Sequence, residues 1–266
     1  MRGLRLLGAL SAAVLLVAGC GSDSADSSGA AGSGSGDASA EAVSGELQVF
    51  AAASLKESYE QLASDLKEAN PDLAITFQYG ASGQLATQIE QGAPADVFSS
   101  ADEVSMTKLA DAGLVEEPKV IAKNVLQIVV PAGNPATIET LADLQNPDLT
   151  IVTCAAAAAC GKITASLEEQ VGYKVASDSQ EPDVKSVLQK VSLGEADAGL
   201  VYVTDVKSAG DKVEGIDIPE AAELSNSYPI AAVKGAPNAE AATAFIEYVE
   251  SDAGQKILAD HGFLAP

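Results

Sequence analysis

FAAASLKESYEQL, the segment at residues 50–62, has the pattern of a strand that ends in a turn and a helix start. Apolar residues recur at Leu55, Tyr59 and Leu62, which places them on one face of a helix. Ser54 directly precedes this pattern and is predicted to be the N-cap. The unpaired N–H groups of a first helical turn and the helix dipole attract anions, and a cap serine can add its hydroxyl. Ser54 is therefore either a plain helix cap or part of an anion site.

Three later segments repeat this arrangement of a polar group beside a strand end or a helix start. Ser82 lies at the start of a helical pattern in GASGQLATQI. Asp183 is the predicted cap of a helix that begins at Val184, and Tyr202 lies near the end of the strand-like run AGLVYV. Each segment has a purely structural alternative. For the Ser82 segment it is an ordinary glycine turn, and for the helix start at Val184 it is a set of N–H groups satisfied by Asp183 and water. For Tyr202 it is a packed core residue with a solvated hydroxyl. The repetition favours an anion site.

The chain alternates strand-like and helical segments. Strand-like runs occur at residues 47–51, 75–79, 97–99, 126–130, 149–153, 198–203 and 229–233. Helical apolar patterns occur at residues 55–69, 85–91, 104–112, 163–171, 184–191 and 239–250, with a last piece that ends at residue 260. This alternation predicts an α/β fold with mainly parallel sheets flanked by helices, in which ligands bind at the carboxyl ends of the strands.

The N-terminus has the features of an export signal. Two arginines precede an apolar run at residues 6–18, which is shorter than the roughly 20 residues that a membrane-spanning helix needs. The small residues before Cys20 resemble the lipobox of bacterial lipoproteins, which implies a signal peptide at residues 1–20 and an acylated Cys20. The alternative is a plain secretory signal followed by a stray cysteine. Residues 21–45 are mostly Gly, Ser, Ala and Asp and are predicted to form a flexible tether.

The rest of the chain is an acidic body of about 220 residues, which is long enough for two modest lobes or one large domain. The net charge of the whole protein is −23. This charge argues against binding to nucleic acid and provides no long-range attraction for an anion. An anionic ligand would therefore have to be held by local dipoles.

The histidine and cysteine content limits the possible chemistry. His261, the only histidine, is placed in the last helical turn, and no base is predicted beside Ser54 or Ser82, so catalysis is not expected. Cys154 and Cys160 remain once Cys20 is acylated, and outside the cell they are predicted to form a disulfide. A metal site is the alternative, but two cysteines without a histidine nearby in the sequence make a poor zinc shell.

Several motifs along the body carry a family resemblance. They are FAAASL at 50–55, GASGQLATQIEQGAPADVF at 80–98, PDV at 182–184, GLVYVTD at 199–205, YPIAAV at 228–233 and GF at 262–263. In combination they resemble the molybdate-binding proteins of bacterial molybdate ABC importers. The resemblance implies that the oxyanion is bound by the hydroxyls of Ser54, Ser82 and Tyr202 and by the backbone N–H groups of Val184 and Cys160.

The same resemblance implies a two-lobed periplasmic binding protein fold of type II with the ligand in the cleft between the lobes. The first lobe would comprise residues 46–125 and 228–266, and the second would comprise residues 126–227. The expected protein is a monomer without a cofactor, anchored to the cell membrane by its N-terminal lipid, that delivers molybdate or tungstate to an importer permease. Neutral donors suit a fully deprotonated dianion better than a protonated phosphate. Sulfate is the alternative ligand.

Overall fold

The computed structural model describes residues 43–266. The predicted signal peptide at residues 1–20, Cys20 and most of the predicted tether at residues 21–45 lie outside the described residues. No helix in residues 43–266 combines the length and the apolar character that a membrane crossing requires.

Strands and helices alternate along the described chain. The strands are β1 (Gly45–Ala52), β2 (Leu73–Gly80), β3 (Val97–Ser99), β4 (Lys119–Pro131), β5 (Ile151–Cys154), β6 (Ser177–Glu181), β7 (Ala198–Tyr202), β8 (Val213–Asp217) and β9 (Ser225–Ala232). The helices are α1 (Lys56–Ala69), α2 (Ser82–Glu90), α3 (Glu103–Asp111), α4 (Ala159–Val171), α5 (Val184–Ser192), α6 (Val203–Ala209), α7 (Ala239–Glu250) and α8 (Asp252–Asp260).

Every predicted strand and helix is present, but three elements were not predicted. β6 has the sequence SDSQE, which contains no apolar residue, and it lies at the edge of the sheet where a polar strand is tolerated. β8 is short and contains Gly215. α6 follows β7 without a loop, and the β-branched residues at its start extend the strand-like pattern as far as Val203.

The strands form one mixed sheet in the order β2-β1-β3-β9-β4-β7-β5-β6, with β8 paired to β4. The predicted parallel pairing occurs in two groups, β1 with β2 and β3, and β5 with β6 and β7. β4 and β9 run antiparallel to each other and to their other neighbours. The first half of β4 pairs with β9 and the second half with β7 and β8, so this strand joins the two parallel groups.

The apolar core has distinct clusters on the two sides of β4. One cluster consists mainly of side chains from the second half of β4 to Ala221. Two others consist mainly of side chains that precede the second half of β4 or lie in β9 and beyond. Two small residues cross this division: Ala81 packs with the first cluster, and Ala159 packs with side chains from the other side. The clusters therefore meet at alanines that precede or begin helices.

Candidate functional site

Ser54 occupies a different position from the one predicted. β1 ends at Ala52, a single 3-10 turn follows at Ala53–Leu55, and α1 begins only at Lys56. Leu55 therefore occupies the N-cap position, and the prediction that Ser54 is the N-cap is wrong. Its side chain caps no helix; its Oγ lies 2.9 Å from the hydroxyl oxygen of Tyr228. The additional turn shifts the serine out of the cap position and leaves its hydroxyl beside the end of β1.

Ser82 is the first residue of α2, as the sequence predicted, and Ala81 is the N-cap. The side chain is buried, and its Oγ accepts a hydrogen bond of 3.0 Å from the backbone N–H of Ala101. Ala101 belongs to the segment that follows β3. Its N–H therefore fixes the position of the Ser82 hydroxyl at the start of α2.

The starts of α4 and α5 supply backbone donors. α4 begins at Ala159 without a side-chain cap, so Cys160 lies in the first turn, where the N–H groups have no partner within the helix. α5 begins at Val184, and its cap is Asp183, as predicted. The Asp183 carboxylate accepts a 3.0 Å hydrogen bond from the N–H of Ser186. Asp183 thus accepts from the N–H of Ser186, and the N–H of Val184 at the start of the helix remains available for a ligand.

A cross-link and a close contact hold the segment before α4. The structure joins Cys154 to Cys160 by a disulfide, with their Cα atoms 5.7 Å apart. A Cβ atom on Gly161 would lie 2.1 Å from the carbonyl oxygen of Ala155, so no other residue fits at this position without a backbone shift. Both features fix the path of the chain from the end of β5 to the N–H of Cys160.

Tyr202 ends β7 and is only 1% exposed. Its hydroxyl oxygen accepts a hydrogen bond from the side-chain Nδ2 of Asn226. Burial raises the pKa of Tyr202 well above its ordinary value, and the nearby Tyr228 and Asp205 add to this effect. The phenol therefore remains neutral and can act as a hydrogen-bond donor.

These five predicted residues line one small cavity of about 20 Å³. The other lining residues are mostly small: Ala52, Ala53, Gly80, Ala81, Ala101, Ala158, Ala159 and Asp183. A single water molecule requires about 10–15 Å³, so the cavity suits one small species. The helices α2, α4 and α5 begin at its wall, and their dipoles direct partial positive charge toward it. Within residues 43–266, the lining includes no lysine or arginine.

Two lysines lie near this cavity, but acidic partners neutralise them. Lys162 in α4 forms a 3.1 Å ion pair with Asp102. Lys185 in α5 lies 2.7 Å from a carboxylate oxygen of Glu57 in α1 and 3.2 Å from Oδ1 of Asp205. The second contact is close enough for Coulomb attraction but lacks hydrogen-bond geometry, so Oδ1 of the buried Asp205 has no hydrogen-bond donor.

Four residues with polar contacts at the cavity were not identified from the sequence. Ala101 contacts Ser82 through its N–H, and Tyr228 contacts Ser54, although 174 positions separate the latter two. Asn226 and Asn124 hydrogen-bond to tyrosine hydroxyls. The run YPIAAV contains Tyr228, but no local pattern indicates that its hydroxyl contacts the serine in the turn after β1.

His261 is separate from this cavity. It is the C-cap of α8, consistent with its predicted place at the end of the last helix, and its Nε2 lies 2.9 Å from Oε1 of Gln61. Burial lowers the pKa of His261 below its ordinary value. In the described part of the chain it contacts none of the five predicted site residues.

Comparison with known proteins extends these observations. The chain is 42% identical over 198 residues to the molybdate-binding protein ModA of Mycobacterium tuberculosis, an alignment that covers 74% of this chain and 76% of that protein. The periplasmic molybdate-binding protein of Azotobacter vinelandii has a similar structure, with a TM-score of 0.73 and 20% identity over 83% of this chain and 99% of that one. The sulfate-binding protein SubI of M. tuberculosis superimposes equally well, with a TM-score of 0.74 and 20% identity over 82% and 86% of the two chains.

The two structural similarities show that the fold is that of the periplasmic binding proteins, and they do not distinguish between the two ligands. Residues 47–264, almost the whole described part of the chain, match the family of bacterial extracellular solute-binding proteins. The chain belongs to this family.

Proposed function

We propose that this protein binds molybdate, and tungstate in the same way, outside the cytoplasm and delivers it to the permease of an ABC importer. The observation that carries the proposal is the convergence of five neutral hydrogen-bond donors on one small cavity. They are the hydroxyls of Ser54, Ser82 and Tyr202 and the N–H groups of Cys160 and Val184. The 42% identity to a protein named for molybdate binding supports the same ligand.

The donor set favours a fully deprotonated tetrahedral dianion. Each oxygen of such an ion can only accept hydrogen bonds, so it matches a wall of O–H and N–H donors. A protonated phosphate would bring an O–H group that needs an acceptor, and leaving it unpaired in a buried site would cost about 1–3 kcal/mol. Asp183 is the one charged side chain on the wall, and its hydrogen bond to the N–H of Ser186 supports a role as a helix cap.

Ligand capture would proceed by closure of two lobes. In this proposal residues 46–125 and 228–266 form the first lobe and residues 126–227 the second, and the separate apolar clusters on the two sides of β4 support the division. Ser54 and Ser82 would then belong to one lobe and the remaining donors to the other. Both lobes would have to close on the ion before it is fully coordinated, which is a hinge motion.

The protein would act as a lipid-anchored monomer. Cys20 would carry the lipid, and the segment between Cys20 and the first strand, which begins at Gly45, would link it to the body and hold the protein at the membrane close to its permease. A complete cavity within one chain supports the monomeric state. Mass spectrometry of the membrane-extracted protein tests this part: a chain that begins at Cys20 and carries acyl chains is expected, and an unmodified secreted chain would contradict it.

Calorimetry on residues 43–266 tests the choice of ligand. Molybdate and tungstate should bind with one ion per protein, phosphate should not bind, and sulfate should bind much more weakly. Sulfate carries the same charge and matches the same donors, so only its smaller size separates it from molybdate. If sulfate binds as tightly as molybdate, the protein is a sulfate-binding protein instead. The fold is compatible with that outcome, because it is equally similar to the sulfate-binding protein SubI.

A further inference from the structure

The three hydroxyl groups at the cavity each contact a partner that does not belong to the set of five donors. A hydroxyl has one hydrogen to donate, whereas its oxygen can also accept. If the partner took that hydrogen, the oxygen lone pairs of the hydroxyl would face the anion and repel it. The identity of each partner therefore decides whether the hydroxyl can serve an oxyanion.

Ser82 and Tyr202 are both linked to Ala101, and the chemistry of this residue fixes the direction of the contacts. The backbone N–H of Ala101 can only donate, and it donates to Ser82 Oγ at 3.0 Å. The carbonyl oxygen of Ala101 can only accept, so the Asn226 atom 2.7 Å away must be the amide nitrogen. The same nitrogen donates to the hydroxyl oxygen of Tyr202. Neither hydroxyl therefore gives its hydrogen to Ala101 or Asn226, and each hydrogen can point into the cavity once the anion displaces the Tyr228 hydroxyl as the acceptor of the Tyr202 hydrogen.

Ser54 is linked to Asn124 through Tyr228. The Oδ1 atom of Asn124 accepts a 3.0 Å hydrogen bond from the N–H of Val125, which identifies the other atom as the nitrogen. This nitrogen donates to Thr204 Oγ1 at 2.8 Å and makes a longer contact of 3.4 Å with the Tyr228 hydroxyl. The 2.9 Å contact between the Tyr228 hydroxyl and Ser54 Oγ admits either group as the donor, and the amide that donates to Tyr228 favours Tyr228 as the donor to Ser54. The hydrogen of Ser54 is then free for the cavity as well.

We propose that Asn226 and Tyr228 are positioning residues that direct the hydroxyl hydrogens of Tyr202 and Ser54 into the cavity. The inference rests on the proposed function, because it explains how a site with three hydroxyls presents donors alone to an oxyanion. Rotatable hydroxyls would otherwise accept from a protonated ligand. The two positioning residues thus exclude hydrogen phosphate by denying it an acceptor.

A double-mutant cycle tests the role of Asn226. Asn226→Ala should weaken molybdate binding about ten-fold in the wild-type background, because the Tyr202 hydroxyl loses its fixed direction. In the Tyr202→Phe background the same change should weaken binding by less than about two-fold, since the hydroxyl on which it acts is absent. Equal losses in the two backgrounds would overturn the proposal. Calorimetry on the purified protein measures all four affinities.

The matched control for this cycle is Asn70→Ala. Asn70 is also buried, and its side chain also makes two hydrogen bonds, to the carbonyl of Leu66 and from the N–H of Val43. It does not line the cavity, so its replacement should lower the melting temperature and leave the molybdate affinity unchanged. A loss of affinity in Asn70→Ala as large as in Asn226→Ala would show that any buried asparagine has this effect and would also overturn the proposal.

A second cycle pairs Tyr228→Phe with Ser54→Ala and remains informative if Asn226→Ala does not fold. Phenylalanine retains the edge-to-face contacts of Tyr228 with its aromatic neighbours and removes only the hydroxyl. The loss of affinity should again disappear in the Ser54→Ala background. Tyr59→Phe is the control, because this buried tyrosine also hydrogen-bonds a serine, Ser99, away from the cavity. Additive losses in this cycle would overturn the role of Tyr228.

Selectivity provides a readout that a purely structural role would not change. The ratio of phosphate affinity to molybdate affinity should be higher in Asn226→Ala than in wild type. The reason is that the freed Tyr202 hydroxyl can accept a hydrogen bond from hydrogen phosphate. An unchanged ratio, including no displacement from either protein, would refute the selectivity role. Failure of wild type to bind molybdate would instead refute the proposed function, so the two failures are distinguishable.

Discussion

Replacing Asp205 by asparagine should alter how the stability of the ligand-free protein depends on pH. Asp205 is fully buried, and burial raises its pKa from 3.8 to about 6, although the Lys185 ammonium and the Tyr202 N–H oppose the rise. The folded protein therefore binds this proton more tightly than the unfolded chain does. Below the pKa of the unfolded chain, Asp205 is protonated in both states and does not lower the free energy of unfolding. As the pH rises to the folded pKa, the folded state loses about 3 kcal/mol, from about two pKa units of 1.36 kcal/mol each.

Urea denaturation at several pH values measures this effect. The asparagine variant cannot lose a proton, so the difference in unfolding free energy between wild type and Asp205→Asn isolates the group. Wild type should gain about 3 kcal/mol relative to the variant between about pH 7 and about pH 3. Asp143→Asn is a control of opposite sign: N–H groups of Glu139 and Thr140 lower the pKa of Asp143, so wild type should lose stability relative to this variant as the pH falls.

A difference between wild type and Asp205→Asn that stays constant with pH would refute the raised pKa. A difference of the opposite sign would mean that attraction to Lys185 outweighs the cost of burial. Lys185 lies 3.2 Å from Asp205 Oδ1 and is shared with Glu57, so it opposes the effect of burial. Repeating the series with Lys185→Met should raise the pKa of Asp205 further and move the transition to higher pH.

Four further outcomes are expected. Ser82→Ala and Tyr202→Phe should each weaken molybdate binding by about 1.5–3 kcal/mol in calorimetry without loss of the folded circular dichroism spectrum, because each removes one hydrogen bond to a charged group. Molybdate at a hundred times its dissociation constant should stabilise the protein by about 2.7 kcal/mol, and sulfate at equal concentration should raise the melting temperature much less. Replacing Cys154 and Cys160 by serine should clearly weaken molybdate binding and lower the melting temperature of the ligand-free protein only slightly, since a short cross-linked loop removes little chain entropy. A large loss of melting temperature with little loss of affinity would make the disulfide purely structural. Gly161→Ala should weaken binding, as measured by calorimetry, because the new Cβ would collide with the carbonyl oxygen described above.

Sequence reasoning located the secondary structure best where apolar periodicity is strong. The helix α7 has the predicted bounds, and α5 extends one residue beyond the prediction. Prediction failed where a neighbouring element determines the local structure. β6 is polar throughout and exists because it pairs with β5, and α6 forms from residues whose local pattern continues a strand. The antiparallel direction of β4 and β9 was also not predicted, because strand direction depends on long-range pairing.

The proposed site divides in the same way between local and long-range information. Ser82 and Val184 were placed correctly at helix starts because the surrounding turn and cap residues are adjacent in sequence. The predicted cap role of Ser54 was wrong because a 3-10 turn intervenes, which the periodic pattern does not reveal. Asn226 and Tyr228 remained unidentified because their contacts join distant segments, and only the folded structure brings them beside the cavity.

A protein with a net charge of −23 that binds an anion must offset a repulsive long-range field at short distance. Lys162 and Lys185 do not serve this purpose, because acidic side chains already pair with them. Fixed dipoles remain: three helix starts and three hydroxyls with directed hydrogens. Dipoles act strongly only at hydrogen-bond distance, so an ion of the wrong protonation state or size gains little from them. In our proposal selectivity follows from this short range, since a lysine in the cavity would attract any anion regardless of its shape.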